Sequence, residues 1–154
     1  MSEITLEAIQ AKQTELAQMI AKLTTQAPAP SVVTVDEIDI ELQPGEHYAG
    51  AVLNEDGTVK HHLVLMAATP NDELDWEDAK TWAATVGGSL PDRHEAALIY
   101  ANCKPHVEHV WHWTSEQYES NASFAWDCYF GGGYQSYNYV SSAGAARAVR
   151  RLKP

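Results

Sequence analysis

Pro28 and Pro30 divide this chain into two parts that fold under different rules. A proline has no backbone N–H and its ring clashes with the preceding turn, so no helix runs through Thr24-Thr25-Gln26-Ala27-Pro28-Ala29-Pro30. That stretch reads as a semi-rigid spacer. Ahead of it, Leu6, Ile9, Gln13, Leu16, Ile20 and Leu23 recur at spacings of 3, 4, 3, 4 and 3, the a/d seam of a coiled coil. An isolated helix of about three heptads is marginal in water, so residues 1–25 are expected to be an oligomerising helix. A helix built to fold back on its own domain would not need the spacer. Gln13 occupies an a position, where a polar residue costs stability but fixes register and copy number; Ile20 at a with Leu at d favours two strands, and a central Gln layer also suits three. The expected partner is therefore self, as a dimer or trimer.

With 154 residues, the chain suffices for one domain with a real core plus such an appendage. Its 45% hydrophobic and 20% charged residues describe a globular protein. The longest apolar stretches, such as residues 63–68, are too short to span a bilayer, and the N-terminus lacks the basic start and apolar core of a signal peptide. Cytoplasmic synthesis is expected, with no membrane insertion. The net charge of −11, carried mainly before residue 96, repels phosphate backbones, so no nucleic-acid partner is expected. Arg147, Arg150, Arg151 and Lys153 crowd the C-terminus, where the default is pairing with the chain's own acids. Cys103 and Cys128 make no disulfide framework and are read as reduced and buried.

Residues 26–45 read as a Pro-containing linker and an extended strand, because residues 32–42 alternate apolar and polar after Thr34. Residues 48–53 and 59–66 flank Asn54-Glu55-Asp56-Gly57, a hairpin signal. Asp75 is placed as the N-cap of a helix whose stripe is Trp76, Ala79, Trp82, Ala83 and Val86, with Gly87-Gly88 ending it. Trp82 is expected to face the sheet. A second helix is predicted from Pro91-Asp92 to about Asn102, followed by short strands over 110–114, 124–130, 137–140 and 146–152.

The last third concentrates Trp, Tyr, Ser, Asn and Gly. Tyr and Trp give large rigid contact area at low entropic cost, while Ser, Gly and Asn give adaptable hydrogen bonding, so this mixture suits a binding surface. Within GGGYQSYNYVSS, Tyr137 and Tyr139 would share one strand face, with Ser136 and Asn138 on the other. Such tyrosines stack on sugar rings or fill pockets on a protein, unless one face is core. GGSLPDRHEA, Trp113-Thr114-Ser115-Glu116, Phe124-Ala125-Trp126 and Arg147-Ala148-Val149-Arg150, in that order over residues 46–152, resemble the Lcl C-terminal-domain-like family of bacterial and phage proteins. The resemblance implies an α+β, C-type-lectin-like domain over 46–154, two helices packed on short antiparallel strands, in a fold shared with formylglycine-generating enzymes. It also implies ligand binding on the loops between late strands, here 116–124 and 131–140. The candidate ligand-binding residues are Tyr118, Asn121, Tyr134, Gln135, Tyr137, Asn138 and Tyr139.

The chain departs from better-known relatives of that fold. No EPN or QPD tripeptide is followed by a WND-like one, so calcium-dependent sugar binding is not expected, and the reactive cysteine pair of the enzymes is missing. His106, His109 and His112 recur every third residue, yet Pro105 ends the helix that would align them, so they are read as solvent-exposed and not as a metal site. The acids over 72–78 lack calcium-loop spacing. No cofactor and no catalytic residue is assigned. The expectation is a non-enzymatic phage or prophage accessory protein, incorporated in the particle and displaying its Tyr/Ser/Asn-rich surface to a host surface molecule, glycan or protein. The alternative is a structural virion or tail decoration protein docked on other virion proteins through its N-terminal helix.

Overall fold

The computed structural model describes residues 5–26, 28–35 and 38–154. The first residues of the expected helix, Ala27 of the spacer, and Asp36 and Glu37 within the expected strand lie outside the described residues. Among the described residues the chain is mixed α+β, with three α-helices and three small antiparallel sheets. Helix α1 (Leu6–Thr25) is capped by the Thr5 hydroxyl, which accepts from the Ala8 N–H, and none of its residues is buried. Its whole heptad seam, Leu6, Ile9, Gln13, Leu16, Ile20 and Leu23, faces open space in the single chain.

The expected single strand over 32–42 is instead two strands, β1 (Ser31–Val35) and β2 (Ile38–Leu42), paired antiparallel from Ser31↔Leu42 to Val35↔Ile38. Nor is this stretch only a linker, because Ile40 and Leu42 are buried with Val64 against Ile38, Tyr48 and Leu152. The second sheet has the order β3 (His47–Leu53), β4 (Val59–Leu65), β8 (Val149–Leu152). At its hairpin turn Gly57 adopts φ +84°, where a side chain would be strained, and Asp56 Oδ1 accepts from the Thr58 N–H and hydroxyl. β4 is covered on both faces: Val64 meets β2, while Leu63 and Leu65 enter the main core with Ala96, Ile99, Cys103, Cys128, Phe130 and Val149.

Helix α2 (Trp76–Thr85) starts at Asp75, whose carboxylate accepts from the Asp78 N–H. It ends where Gly88 N–H reaches Ala83 O and Gly87 N–H reaches Ala84 O, with Gly87 at φ +84°. Its core face is Trp76, Ala79 and Ala83; the expectation for Trp82 is corrected, since that ring is only half-buried at the margin of the cluster. Trp76 is the anchor, donating Nε1–H to Thr114 O at 2.8 Å. Helix α3 (Arg93–Cys103) opens with a reciprocal cap in which Asp92 accepts from the Glu95 N–H and Glu95 accepts from the Asp92 N–H. It packs on β3 and reaches the third sheet.

That third sheet has the order β5 (Trp111–Gln117), β6 (Phe124–Tyr129), β7 (Tyr134–Tyr139). Trp113, buried with Trp76, Leu90 and Ala125, donates Nε1–H to Leu74 O. Gly144 lies so close to it that a Cβ there would sit 2.8 Å from Trp113 Nε1. The C-terminal arginines do pair inward. Arg150 binds the Glu46 carboxylate, and Arg151 binds Glu95, which is fully buried and also meets His61 Nε2 at 2.8 Å. Arg147 donates to His106 O and Met66 O. No helix among the described residues is long and apolar enough to cross a membrane.

Candidate functional site: an aromatic platform on the third sheet

Antiparallel register decides which aromatics meet. Pairing Phe124 with Tyr139 and Trp126 with Tyr137 puts these four rings on one face of β6 and β7, while Ala125, Asp127, Ser136 and Asn138 turn to the other. Ala125 is buried, so the face between Phe124 and Trp126 must point outward. Tyr118, immediately after β5, lays its ring on Tyr137 with centroids 4.2 Å apart and planes 20° apart. Phe124 is 4.5 Å from Tyr139 and meets Tyr137 edge-on at 5.5 Å; Trp126 meets Tyr118 and Tyr137 edge-on. Five rings thus form one contiguous surface in the offset and edge-to-face geometries that aromatics favour. Tyr137 and Tyr139 stay 45% and 57% exposed within it.

The rim of this platform is polar and hydrogen-bonded. The Arg93 guanidinium lies 3.6 Å over the Trp126 ring, a cation–π contact on its inner edge. Arg93 Nε donates to Gln135 Oε1 at 2.9 Å, and Gln135 Nε2 donates back to Arg93 O at 2.7 Å, so the start of α3 is tied to β7. Glu116 Oε2 accepts from the Arg93 N–H. Trp126 Nε1 is buried and has no partner among the described residues.

The seven candidate residues therefore do not form one site. Tyr118, Tyr137 and Tyr139 belong to the platform, and Gln135 clamps its rim. Asn121 shapes the β5–β6 turn, its Oδ1 accepting from the Ser123 N–H, and Asn138 Oδ1 accepts from the Tyr139 N–H and the Ser142 hydroxyl. Tyr134 is an odd number of residues from Tyr137 and so lies on the opposite face, stacked over Tyr129. In the sequence Phe124 and Trp126 mark only an aromatic strand, and no local pattern singles out Arg93 or Glu116 as site residues. The alternation Phe124-Ala125-Trp126 carried the signal, because a small residue between two aromatics marks the inward position.

Of the three histidines expected to be solvent-exposed, His106 and His109 are exposed and His112 is not. His112 is 2% exposed, where a solvated side chain was expected, and it packs on Phe130. His106 is exposed and stacks on His47 at 3.4 Å. No group of three metal-ligating side chains comes together among the described residues. Both cysteines are free and buried. Burial, with Asp127 adding to it, pushes the Cys128 thiol up to about 11. It is therefore held as the thiol, and the thiolate is the nucleophile. Comparison with protein-family models and with curated proteins finds no match.

Proposed function

We propose that this protein is a non-enzymatic binding module whose aromatic platform, Tyr118, Phe124, Trp126, Tyr137 and Tyr139, recognises a host surface molecule, glycan or protein. The observation that carries this reading is a contiguous five-ring surface, with Tyr137 and Tyr139 exposed and Tyr118, Phe124 and Trp126 half-buried, beside a hydrogen-bonded polar rim. Rigid rings of this kind offer contact area at little entropic cost. A C-type-lectin-like scaffold on a coiled-coil stalk, incorporated in a phage particle, accounts for the bare apolar seam of α1 and for the motif order over residues 46–152. The same exposed seam favours a second reading, a virion decoration protein that docks through α1.

The test replaces Tyr118, Tyr137 and Tyr139 together by Ser and compares the variant with Tyr134→Ser on a glycan array and on immobilised bacterial envelope. Hot-spot aromatics each contribute about 2 kcal/mol or more, so the triple variant is expected to lose binding by over 30-fold while Tyr134→Ser binds like the parent. Equal losses in both variants, or a parent that binds neither surface, would favour the decoration reading.

A further inference from the structure

A second site lies apart from the platform, where the loop before α2 meets the start of β5 and the segment entering β8. Here Asp72, Glu73, Glu108, His112, Pro70 and Ala146 line a cavity of about 170 Å³, with Arg147 at its wall. We propose that this cavity binds a small alkylammonium group, with His112 Nε2 accepting one ammonium proton and the three carboxylates holding the charge.

The argument starts with His112. The side chain is 2% exposed, and its Nδ1 lies 3.0 Å from Val110 O. A carbonyl only accepts, so Nδ1 carries the hydrogen and Nε2 presents a lone pair. No partner for Nε2 exists among the described residues, yet this atom is not among those sealed from solvent. Since His112 lines the cavity, that lone pair opens into it. Burial drives the imidazole pKa down to about 4, so the ring stays a neutral acceptor in ordinary buffers. An acceptor that opens into a cavity with no protein donor is satisfied there only by water or by a bound donor.

The charge balance selects the donor. Three carboxylates line the cavity against one guanidinium, that of Arg147, whose Nη1 donates to His106 O and Nη2 to Met66 O, while its Nε is buried without a partner among the described residues. An anion would meet a net excess of negative charge. Pro70, Ala145 and Ala146 provide apolar wall for a short methylene chain. A primary ammonium on an alkyl stem matches acceptor, charge and wall together; a neutral alcohol matches only the first and last.

The experiment titrates the full-length protein with n-butylammonium chloride, following the ¹⁵N resonance of His112 Nε2 alongside calorimetry. Sodium chloride and 1-butanol at equal concentration are the controls. Saturable displacement of the His112 resonance by the amine alone is expected. Glu108→Gln should weaken it at least threefold and His112→Leu about tenfold by calorimetry, as loss of a screened charge and of a charge-assisted hydrogen bond require. Near-ultraviolet dichroism checks that both variants keep their packing, and Glu108, being exposed, gives the variant that does not disturb the core. An unmoved His112 resonance, an equal response to butanol or salt, or unchanged affinity in Glu108→Gln would overturn the assignment.

Discussion

At the scale of single residues, two buried groups pull the acid response of this fold in opposite directions. Asp127 is buried with Oδ1 unpartnered among the described residues, and burial raises its pKa from 3.8 to about 6. His112 is buried too, and its pKa falls from 6.5 to about 4. Between pH 4 and 6 the folded chain holds a proton on Asp127 that the unfolded chain has released, so this residue costs stability as pH rises. Over nearly the same range the unfolded chain binds a proton at His112 that the folded chain refuses, so that residue adds stability as pH rises. Each pH step between folded and unfolded pKa is worth about 1.4 kcal/mol, which gives about 3 kcal/mol for either group, and the two nearly cancel. Asp127→Asn should therefore stabilise the protein by about 2–3 kcal/mol at pH 7 and by almost nothing near pH 3.5. Urea unfolding at the two pH values measures this, and an equal gain at both would mean that packing, not ionisation, is responsible. Glu46 and Glu95 behave conventionally: burial raises them, but the arginines and backbone donors that bind them outweigh it and hold both carboxyls below their ordinary range. Their contribution is lost only as pH falls through those depressed values.

At the scale of elements, local chemistry marked boundaries well and burial poorly. Asp75 and Gly87-Gly88 bracket α2 because capping and a positive φ are decided within a few residues. The hairpin at Asn54–Gly57 formed for the same reason. The two-strand fold of residues 31–42 was not legible, since alternation runs through both strands and only the pairing of Ser31 with Leu42 reveals the reversal. Trp82 and Trp76 share a helical stripe about two turns wide, and nothing in the spacing tells which ring the neighbouring sheet covers. The platform was half legible: the period of two placed Tyr137 and Tyr139 together, whereas Arg93, 42 residues from its partner Gln135, had no local signal. Trp76→Ala should cost about 3–5 kcal/mol, through a lost ring and an orphaned Thr114 carbonyl, while Trp82→Ala should cost about 1–2 kcal/mol. Chemical denaturation of both variants checks the order, and a reversed ranking would mean that α2 is rotated on the sheet.

At the scale of the whole molecule, the final strand is a clasp. Arg150 reaches Glu46 and Glu41 O, and Arg151 reaches Glu95, Ser89 and Leu90 O, so residues far apart in sequence close one body around β8. Helix α1 has no such tie: it buries no residue and presents Leu6, Ile9, Leu16, Met19, Ile20 and Leu23 to solvent. A single 20-residue helix in that state is marginal, and association between copies is the proposed source of the stability that the domain does not supply. Removing residues 1–26 should leave a folded domain with an unchanged melting temperature, monomeric by light scattering. The same deletion should weaken attachment to a ligand-bearing surface by about 10² to 10⁴ while leaving the affinity for soluble ligand unaltered, because linked sites raise avidity without new contacts. An oligomer that survives the deletion would place association in the globular body. A deletion that lowers soluble-ligand affinity as well would mean that α1 contributes to the platform itself.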